Sequence, residues 1–532
     1  MSTKVQLVGF ETEFGIAERG LRSHCPNPER AWRQSMLLVG QMLGRDRDVD
    51  WLPLDEGAGD VLDQMEFVAT DYGGFDPRTG ARIYVDHAHP EWASPACRSP
   101  HTATLYDKVG EWRAEWAAIG LALDAEGNPG RRRLELFKNN TSGSGDSYGC
   151  HVNVSWPADF PRGRFTRPLA SLHTVLQILA GTGSLERIGD SDVLEFWISQ
   201  RGRHIYEECS SETTRQRPIV NTRDEPLDRD HSRRRMHNIP QDSNLSEVAT
   251  YLKAGLIMIG MQVITDAAWP HDYDLVMPVL AFRAVAADPT LTVQIQTRAG
   301  GMTGLAVLRH YVEAFRAYFV NRPILPWQDD VLGRTELLLD ILATDMFAAR
   351  SVIEWIMKLW LMTGIQRKRG LADNNFNHLQ IEAVNLQYHS LIREPALEGD
   401  RKGLYFQLRD NGHMERLFTD AQIIAADGRA PRGTSSHTRA MLLWRYREQP
   451  HYAAWDYFKV TDPHGLYPDG NATIMIEFRK ASAGTPRWFK DVVGRSPTAG
   501  NLRHNLVELL GPDGGTRGNV SVSFSRYYTQ NT

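Results

Sequence analysis

Cysteine is scarce. Only Cys25, Cys97, Cys150 and Cys209 occur in 532 residues, widely spaced and with no Cys-x-x-Cys pair. That excludes a disulfide framework and a zinc knuckle and points to a reducing, cytoplasmic setting. Long apolar runs are missing too. The longest, Ala254 to Ile264, is interrupted by Gly255, Gly260 and Gln262 and is too short to cross a bilayer. Met1-Ser-Thr-Lys-Val-Gln opens without a basic segment followed by an apolar one, so no secretory signal and no membrane partner are expected. Neither sign of charge dominates, and a net charge of -5 argues against a general nucleic-acid binder. The common nucleotide and hydrolase signatures are absent as well. There is no P-loop, Gly181-Thr-Gly183 lacks the third glycine of a dinucleotide fingerprint, and neither a Gly-x-Ser-x-Gly elbow nor a His-Glu-x-x-His pair occurs. A nucleotide would therefore have to be held through metals and arginines on a sheet face.

What is present is a set of strands with two chemically different faces. In Gly80-Ala-Arg-Ile-Tyr-Val-Asp-His-Ala-His-Pro-Glu91, Ile83 and Val85 alternate with Arg82, Tyr84 and Asp86. A cation, a phenol and a carboxylate on one face are costly unless exposed or matched by charged ligands. Val5 to Ile16 reads as another strand, with Glu11 and Glu13 on one side about 6 to 7 Å apart. That spacing suits a hard metal such as Mg²⁺, although a Glu-x-Glu pair also fits a solvated edge strand. Gly149 to Ser155 repeats the pattern, with Cys150, Val152 and Val154 on one face and His151, Asn153 and Ser155 on the other. One such histidine is usually a structural hydrogen-bonder. Three strands of this kind describe a sheet that cradles something polar, with helices covering its other side.

The length implies two domains. Helical periodicity is expected near Ala31 to Leu43, His101 to Leu123 (through Leu105, Val109, Trp112, Trp116 and Leu121 in the core), Gly304 to Phe319, Leu332 to Thr344, Phe347 to Leu361 and His378 to Leu391. Asn244-Leu-Ser-Glu247 has capping-box spacing for a helix running to about Val263. The loop Leu52 to Gly80 is either a lid or a tolerated insertion. Arg203 to Arg235 is the most basic stretch and is interleaved with acids, so it is either a solvated loop or a set of bidentate anion contacts. Ala425 to Ser436 reads as a hinge. His451 to Val460, Thr473 to Arg479 and Gly518 to Tyr528 read as strands of a small terminal domain. The expected division is residues 1–424, with an insertion at 17–79, followed by 425–532 with a β-rich extension.

Gly9-Phe-Glu-Thr-Glu-Phe-Gly15, the Gly80 to Glu91 block, Lys138-Asn-Asn140, Ser147-Tyr-Gly-Cys-His-Val-Asn153, Asn221-Thr-Arg-Asp-Glu-Pro226, and Arg234-Arg-Met-His237 with Asp242-Ser-Asn244 resemble the Pup ligase and Pup deamidase/depupylase family. That family is related to glutamine synthetase. Weaker similarity extends through Glu354-Trp-Ile-Met-Lys358, Leu386-Gln-Tyr-His389 and Trp455-Asp-Tyr-Phe-Lys459. The resemblance implies an α+β fold: a curved antiparallel sheet cradle packed by helices, holding ATP and Mg²⁺, with a smaller C-terminal domain. It implies Glu11, Tyr84 and Glu91 as metal ligands, Glu13, His151 and His237 as further metal or phosphate contacts, and Arg82, Ser94, Asn153, Arg223 and Trp455 as nucleotide contacts. Asp86 matches the catalytic aspartate, as base or as nucleophile. The implied partner is Pup or a pupylated protein.

Val85 to Glu91, Met302-Thr-Gly-Leu-Ala306 and the enlarged segment between the first two blocks resemble the deamidase/depupylase. Lys138 to Thr141 with Ser147 to His151 is closer to the ligase. The expected activity is hydrolysis of a glutamine amide or isopeptide bond, with ligation through a glutamyl phosphate, or a catalytically silent nucleotide-binding homologue, as alternatives. The family carries Glu where Val152 stands. Strand alternation turns that position away from His151 and Asn153, so the active face should survive.

Overall fold

The computed structural model describes residues 6–18, 28–44, 72–125, 133–141, 147–187, 193–224, 232–372, 375–449, 451–461 and 472–526. Most of the expected Leu52 to Gly80 loop lies outside them. The fold is α+β. Its centre is a six-stranded antiparallel sheet built from β1 (Val8–Glu13), β2 (Gly73–Phe75), β3 (Arg82–Asp86), β4 (His89–Ala93), β5 (Cys150–Pro157) and β6 (Arg233–Asn238), in the order β6-β5-β1-β4-β3-β2.

Period-two alternation sends Val8, Phe10, Ile83, Val85, Trp92, Val152, Val154 and Met236 into one apolar core with the helices Pro28–Leu43, Pro100–Ala125, Gly163–Ala180 and Glu247–Thr265. Val152 is fully buried there, so the position at which the chain departs from the pattern it resembles faces away from the polar side of the sheet. Glu247–Thr265 is apolar and long enough to pass as a membrane span, which the sequence reading missed, but 89% of its apolar window is buried inside the protein.

Several expectations need correction. The Gly80 to Glu91 stretch is a hairpin of two strands, closed at His87, whose φ of 53° is unusual for a side-chain-bearing residue. The helix Glu247–Thr265 is capped by Ser246, whose Oγ accepts from the Ala249 N–H, because Asn244 is taken up by Glu354 and Lys253. Phe347 to Leu361 is not one helix. A 3₁₀ segment, Met346–Ser351, precedes the helix Glu354–Arg369, whose first residue turns its carboxylate inward to the Leu245 N–H. In Pro100–Ala125 the charged side chains Asp107, Lys108, Glu111 and Glu115 are buried while Trp116 is 53% exposed, the reverse of an ordinary amphipathic helix. Within the described part of the Arg203 to Arg235 stretch, Ile205–Ser210 pairs in parallel with Arg217–Asn221 and β6 begins at Arg233.

A second core gathers Leu442, Tyr446, Phe458, Ile474, Ile476, Phe489, Leu502 and Val522. Its sheet runs His451–Ala453, Tyr457–Thr461, Ala472–Phe478, Val520–Arg526, Gly515–Arg517. His451 to Val460 is thus two strands, with Trp455 in the turn between them. The terminal extension, expected to be β-rich, also forms the helices Arg487–Gly494 and Ala499–Leu510. The Pro and Thr residues there mark helix starts: Pro486 precedes the first helix, and the Thr498 hydroxyl accepts from the Asn501 N–H at the second. The expected hinge at 425–436 is partly helical: residues 428–434 join the helices Asp420–Asp427 and Ser435–Arg445, and Thr434, Ser435 and Ser436 are buried.

Candidate active site

The polar face of the central sheet is assembled by register. Glu11 lies opposite His151 on one side and Ala93 on the other, Glu13 opposite Glu91, and Glu91 opposite Tyr84. Asp86 faces His89 at the hairpin end, and His237 faces Asn153. Thus the separate segments that carry Glu11, Glu13, Tyr84, Asp86, Glu91, His151 and His237 meet on one surface.

Two clusters result. In the first, ligand atoms of Glu11, His151 and His237 lie within 4.8 Å of one another; in the second, so do those of Glu13, Asp86 and Glu91. Arg235 Nη1 donates to Glu11 Oε1 at 3.0 Å, and His151 Nδ1 lies 3.3 Å from Glu11 Oε2. Burial opposes ionisation of Glu11, but Arg235 and the two imidazoles hold its carboxyl well below the usual range. His237 Nδ1 sits 2.9 Å from Asn153 Oδ1, and burial, with His151 close by, pushes that imidazole down.

In the second cluster the Tyr84 hydroxyl donates to Glu91 Oε1, while Glu91 Oε2 is buried with no hydrogen-bond partner among the described residues. Burial, together with the charges of Glu11, Glu13 and Asp86, pushes the Glu91 carboxyl well up. Glu13 accepts from the Gly149 N–H at 2.9 Å. Asp86 is held below the usual carboxylate range: burial opposes this, but the neighbouring His87, 3.0 Å away, outweighs it. Three carboxylates around the orphaned buried oxygen of a fourth form a site that favours a cation. The all-oxygen trio Glu13, Asp86 and Glu91 matches the donor preference of a hard divalent ion, and the Glu11, His151, His237 trio is a mixed set that imidazole-tolerant metals accept. Gly149 is required here, since a Cβ at that position would collide with the His151 ring.

Beside the clusters runs a cleft lined by Glu11, Ser94, Asn153, Arg233, Arg235 and Trp455, among others. Ser94 Oγ accepts from the Phe10 N–H at 2.8 Å, and the Trp455 indole N–H is buried without a partner among the described residues. The guanidinium of Arg82 lies 4.7 Å from the centre of the Tyr84 ring. Arg223 is exposed on the segment after Arg217–Asn221, near enough for its charge to act on His237.

Sequence reasoning missed Arg235, Arg439 and His89. Arg233, Arg235 and His237 alternate along β6, a period-two signal obscured by the mixed charges around it. His89 Nδ1 is 3.6 Å from Glu13 Oε2. Arg439, fully buried, donates to the carbonyls of Gly80 and Trp455.

Several of the resembling blocks serve the scaffold. Asp242 accepts from the Thr182, Gln200 and Arg201 N–H groups and from two hydroxyls. His389 Nδ1 donates to the Lys138 carbonyl, leaving Nε2 to accept from Gln200 and Lys358. Behind the sheet, Thr12 donates to Asp107, which also binds Lys138.

The family model described as Pup-ligase protein matches residues 6–459. The chain is 32% identical over 470 residues to a depupylase from Acidothermus cellulolyticus, covering 85% of this chain and 90% of the relative. It is 32% identical over 396 residues to a Pup–protein ligase from Corynebacterium diphtheriae, covering 72% and 80%. The solved structure of the Pup ligase PafA in complex with ADP superposes with a TM-score of 0.70 at 25% identity, over 90% of this chain and 95% of that one. With the family model spanning most of its length and relatives at 32% identity covering 72–85% of it, the chain belongs to the Pup-ligase protein family.

Proposed function

We propose that the protein is an ATP-dependent enzyme that hydrolyses the bond to the side-chain carbonyl of a C-terminal glutamyl residue of Pup, either a glutamine amide or an isopeptide bond to a protein lysine. The observation that carries this reading is the position of Asp86, ionised and half-exposed at the hairpin end of a face that gathers Glu11, Glu13, Glu91, His151 and His237. The longer coverage by a depupylase than by a ligase favours the hydrolytic direction.

Glu13 and Glu91, with Glu11 and the two histidines, would hold Mg²⁺; Arg82, Ser94, Asn153, Arg223 and Trp455 would hold the nucleotide, a reading supported by the ligase neighbour having been solved in complex with ADP. When bound, the metal would supply the Lewis-acid charge that polarises the scissile carbonyl. Asp86 accepts the proton of the attacking water as the new C–O bond forms. The C–N bond then breaks, and the amine or ammonia leaves with that proton. Tyr84, tied to Glu91, keeps the carboxylate trio oriented, and Arg235 keeps Glu11 charged.

The test is incubation with ATP and Mg²⁺, with Pup ending in glutamine, with Pup ending in glutamate plus an acceptor protein, and with a Pup–protein conjugate. Ammonia release or liberation of the protein is expected. New conjugate from the glutamate form would transfer the site to ligation, and tight nucleotide binding without any turnover would leave a binding protein.

A further inference from the structure

Tyr148 is buried, yet it packs in neither apolar core of the described residues. It stands just ahead of β5, and contacts to both its side chain and its backbone fix it in place. Its hydroxyl donates to Asn139 Oδ1, and Asn139 Nδ2 in turn donates to the Thr141 carbonyl at 2.9 Å. The Tyr148 carbonyl accepts from Asn140 Nδ2 at 2.9 Å and from Nη1 of the fully buried Arg201 at 2.8 Å. The Tyr148 N–H donates to the Asn140 carbonyl at 3.2 Å. Gly15 clears the space for the ring, because a Cβ there would collide with the Tyr148 hydroxyl.

What this anchoring presents is a ring face. The phenol stacks on the His89 imidazole, with ring centres 4.3 Å apart and planes inclined by 29°. His89 opens β4 opposite Asp86 at the end of β3, and its Nδ1 lies 3.6 Å from Glu13 Oε2. Glu13 is tied to the residue after Tyr148: the Gly149 N–H donates to Glu13 Oε1 at 2.9 Å, and the Gly149 carbonyl accepts from the Glu13 N–H at 3.1 Å. The imidazole thus bridges the segments that carry Asp86 and Glu13, two members of the trio whose ligand atoms lie within 4.8 Å of one another.

We infer that Tyr148 is a positioning residue for the reaction proposed above: its ring fixes the His89 imidazole and, through it, the placing of Asp86 relative to Glu13. The inference rests on that functional reading. A tyrosine that served packing alone would bury its ring among apolar side chains and leave its polar tip wet. Here the hydroxyl is anchored inside the protein and the ring face is given to an imidazole. A misplacement of about 1 Å in such a site costs about 10²-fold in rate, which makes the backing of His89 consequential.

The experiment combines turnover of a Pup–protein conjugate with NMR of the full-length protein carrying ¹³C-labelled histidine. The His89 signal is assigned by its loss in His89→Gln. Tyr148→Leu should lower kcat at least about tenfold with KM little changed, whereas Tyr148→Phe, which keeps the ring but not the Asn139 anchor, should lose only about threefold. The ring current of Tyr148 acts on His89, so the His89 signal should move in Tyr148→Leu and stay near its parent position in Tyr148→Phe. Gly15→Ala, which presses on the hydroxyl, should lower kcat as well, and Gly15→Ala/Tyr148→Phe should recover part of that loss. This pair decides the matter should the melting curve show that Tyr148→Leu folds poorly. A His89 signal that ignores Tyr148→Leu overturns the assignment. So does a folded Tyr148→Leu protein with parent-like kcat, or a double variant no better than Gly15→Ala. An inactive parent would remove the functional reading, and the His89 signal would then decide by itself whether Tyr148 holds the imidazole.

Discussion

Arg439 donates through Nη2 to the carbonyl of Gly80 at 2.7 Å, joining residues 359 positions apart. Gly80 (φ 73°) leads into the strand that bears Arg82, Tyr84 and Asp86, and its Cβ position would come within 2.5 Å of the Ser436 carbonyl. The same guanidinium donates to the Trp455 carbonyl and lies 4.4 Å from the Phe75 ring centre and 5.0 Å from that of Trp455. One buried cation therefore fixes a catalytic-sheet strand and a cleft-lining indole together.

Arg439→Met should leave two carbonyls unpaired, at about 1–3 kcal/mol each, and free Trp455 to move. Expected are a lower melting temperature and a nucleotide affinity reduced about tenfold or more. Parent-like affinity measured by titration would disconnect Arg439 from the cleft.

Asp86→Asn removes the proton acceptor while keeping the size and shape of a partly exposed side chain. Turnover should fall by about 10²–10⁴-fold, with nucleotide binding and melting temperature little changed. An Asn variant that turns over at the parent rate assigns the chemistry elsewhere.

Lys138 lies fully buried between Asp107 (2.6 Å) and Glu111 (2.8 Å), and Asp107 in turn receives the Thr12 hydroxyl behind Glu11 and Glu13. Lys138→Met removes the closest cation from Asp107, leaving it Lys108 at 3.3 Å and the Thr12 hydroxyl, and should cost about 3–5 kcal/mol by urea unfolding. The double variant Lys138→Met/Asp107→Leu should recover part of the loss, since Glu111 retains Lys108 and Arg393. Additive losses would argue against the pairing as the cause.

His173 is fully buried, with Nε2 donating to Asn238 Oδ1 and Nδ1 accepting from Gln241. A second ring proton would meet the Gln241 amide hydrogens, and burial already brings this imidazole down to about 4. The unfolded chain takes up the proton near pH 6.5 and the folded chain does not until about pH 4. Its contribution is therefore complete above about pH 6.5 and is lost as the pH falls toward 4. Between pH 7 and pH 5 the parent should lose about 2 kcal/mol from this group alone. Urea unfolding of His173→Gln should show a correspondingly flatter pH dependence, and an equal slope in both proteins would assign the acid sensitivity to other groups.

Strand alternation is a local property, set by the backbone pleat. For that reason the opposing faces of Val8–Glu13, Arg82–Asp86 and Cys150–Pro157, and the inward turn of Val152, could be read from residue order alone. So could the helix Gly304–Phe319, whose bounds follow from its own periodicity. Helix caps and the charged face of Pro100–Ala125 were harder to read, because Asn244 and Asp107 are satisfied by partners far along the chain, and spacing does not reveal which side chain a buried donor will choose.

The sequence by itself determined which side chains share a face of each strand and which family the chain resembles. Only the tertiary structure decided that Glu11, Glu13 and Glu91 stand on adjacent strands, that Arg235 neutralises Glu11, and that Arg439 and Trp455 close the cleft from the C-terminal part. Register, ion pairing and burial depend on contacts between segments hundreds of residues apart, and their energies arise only once water has been excluded between them.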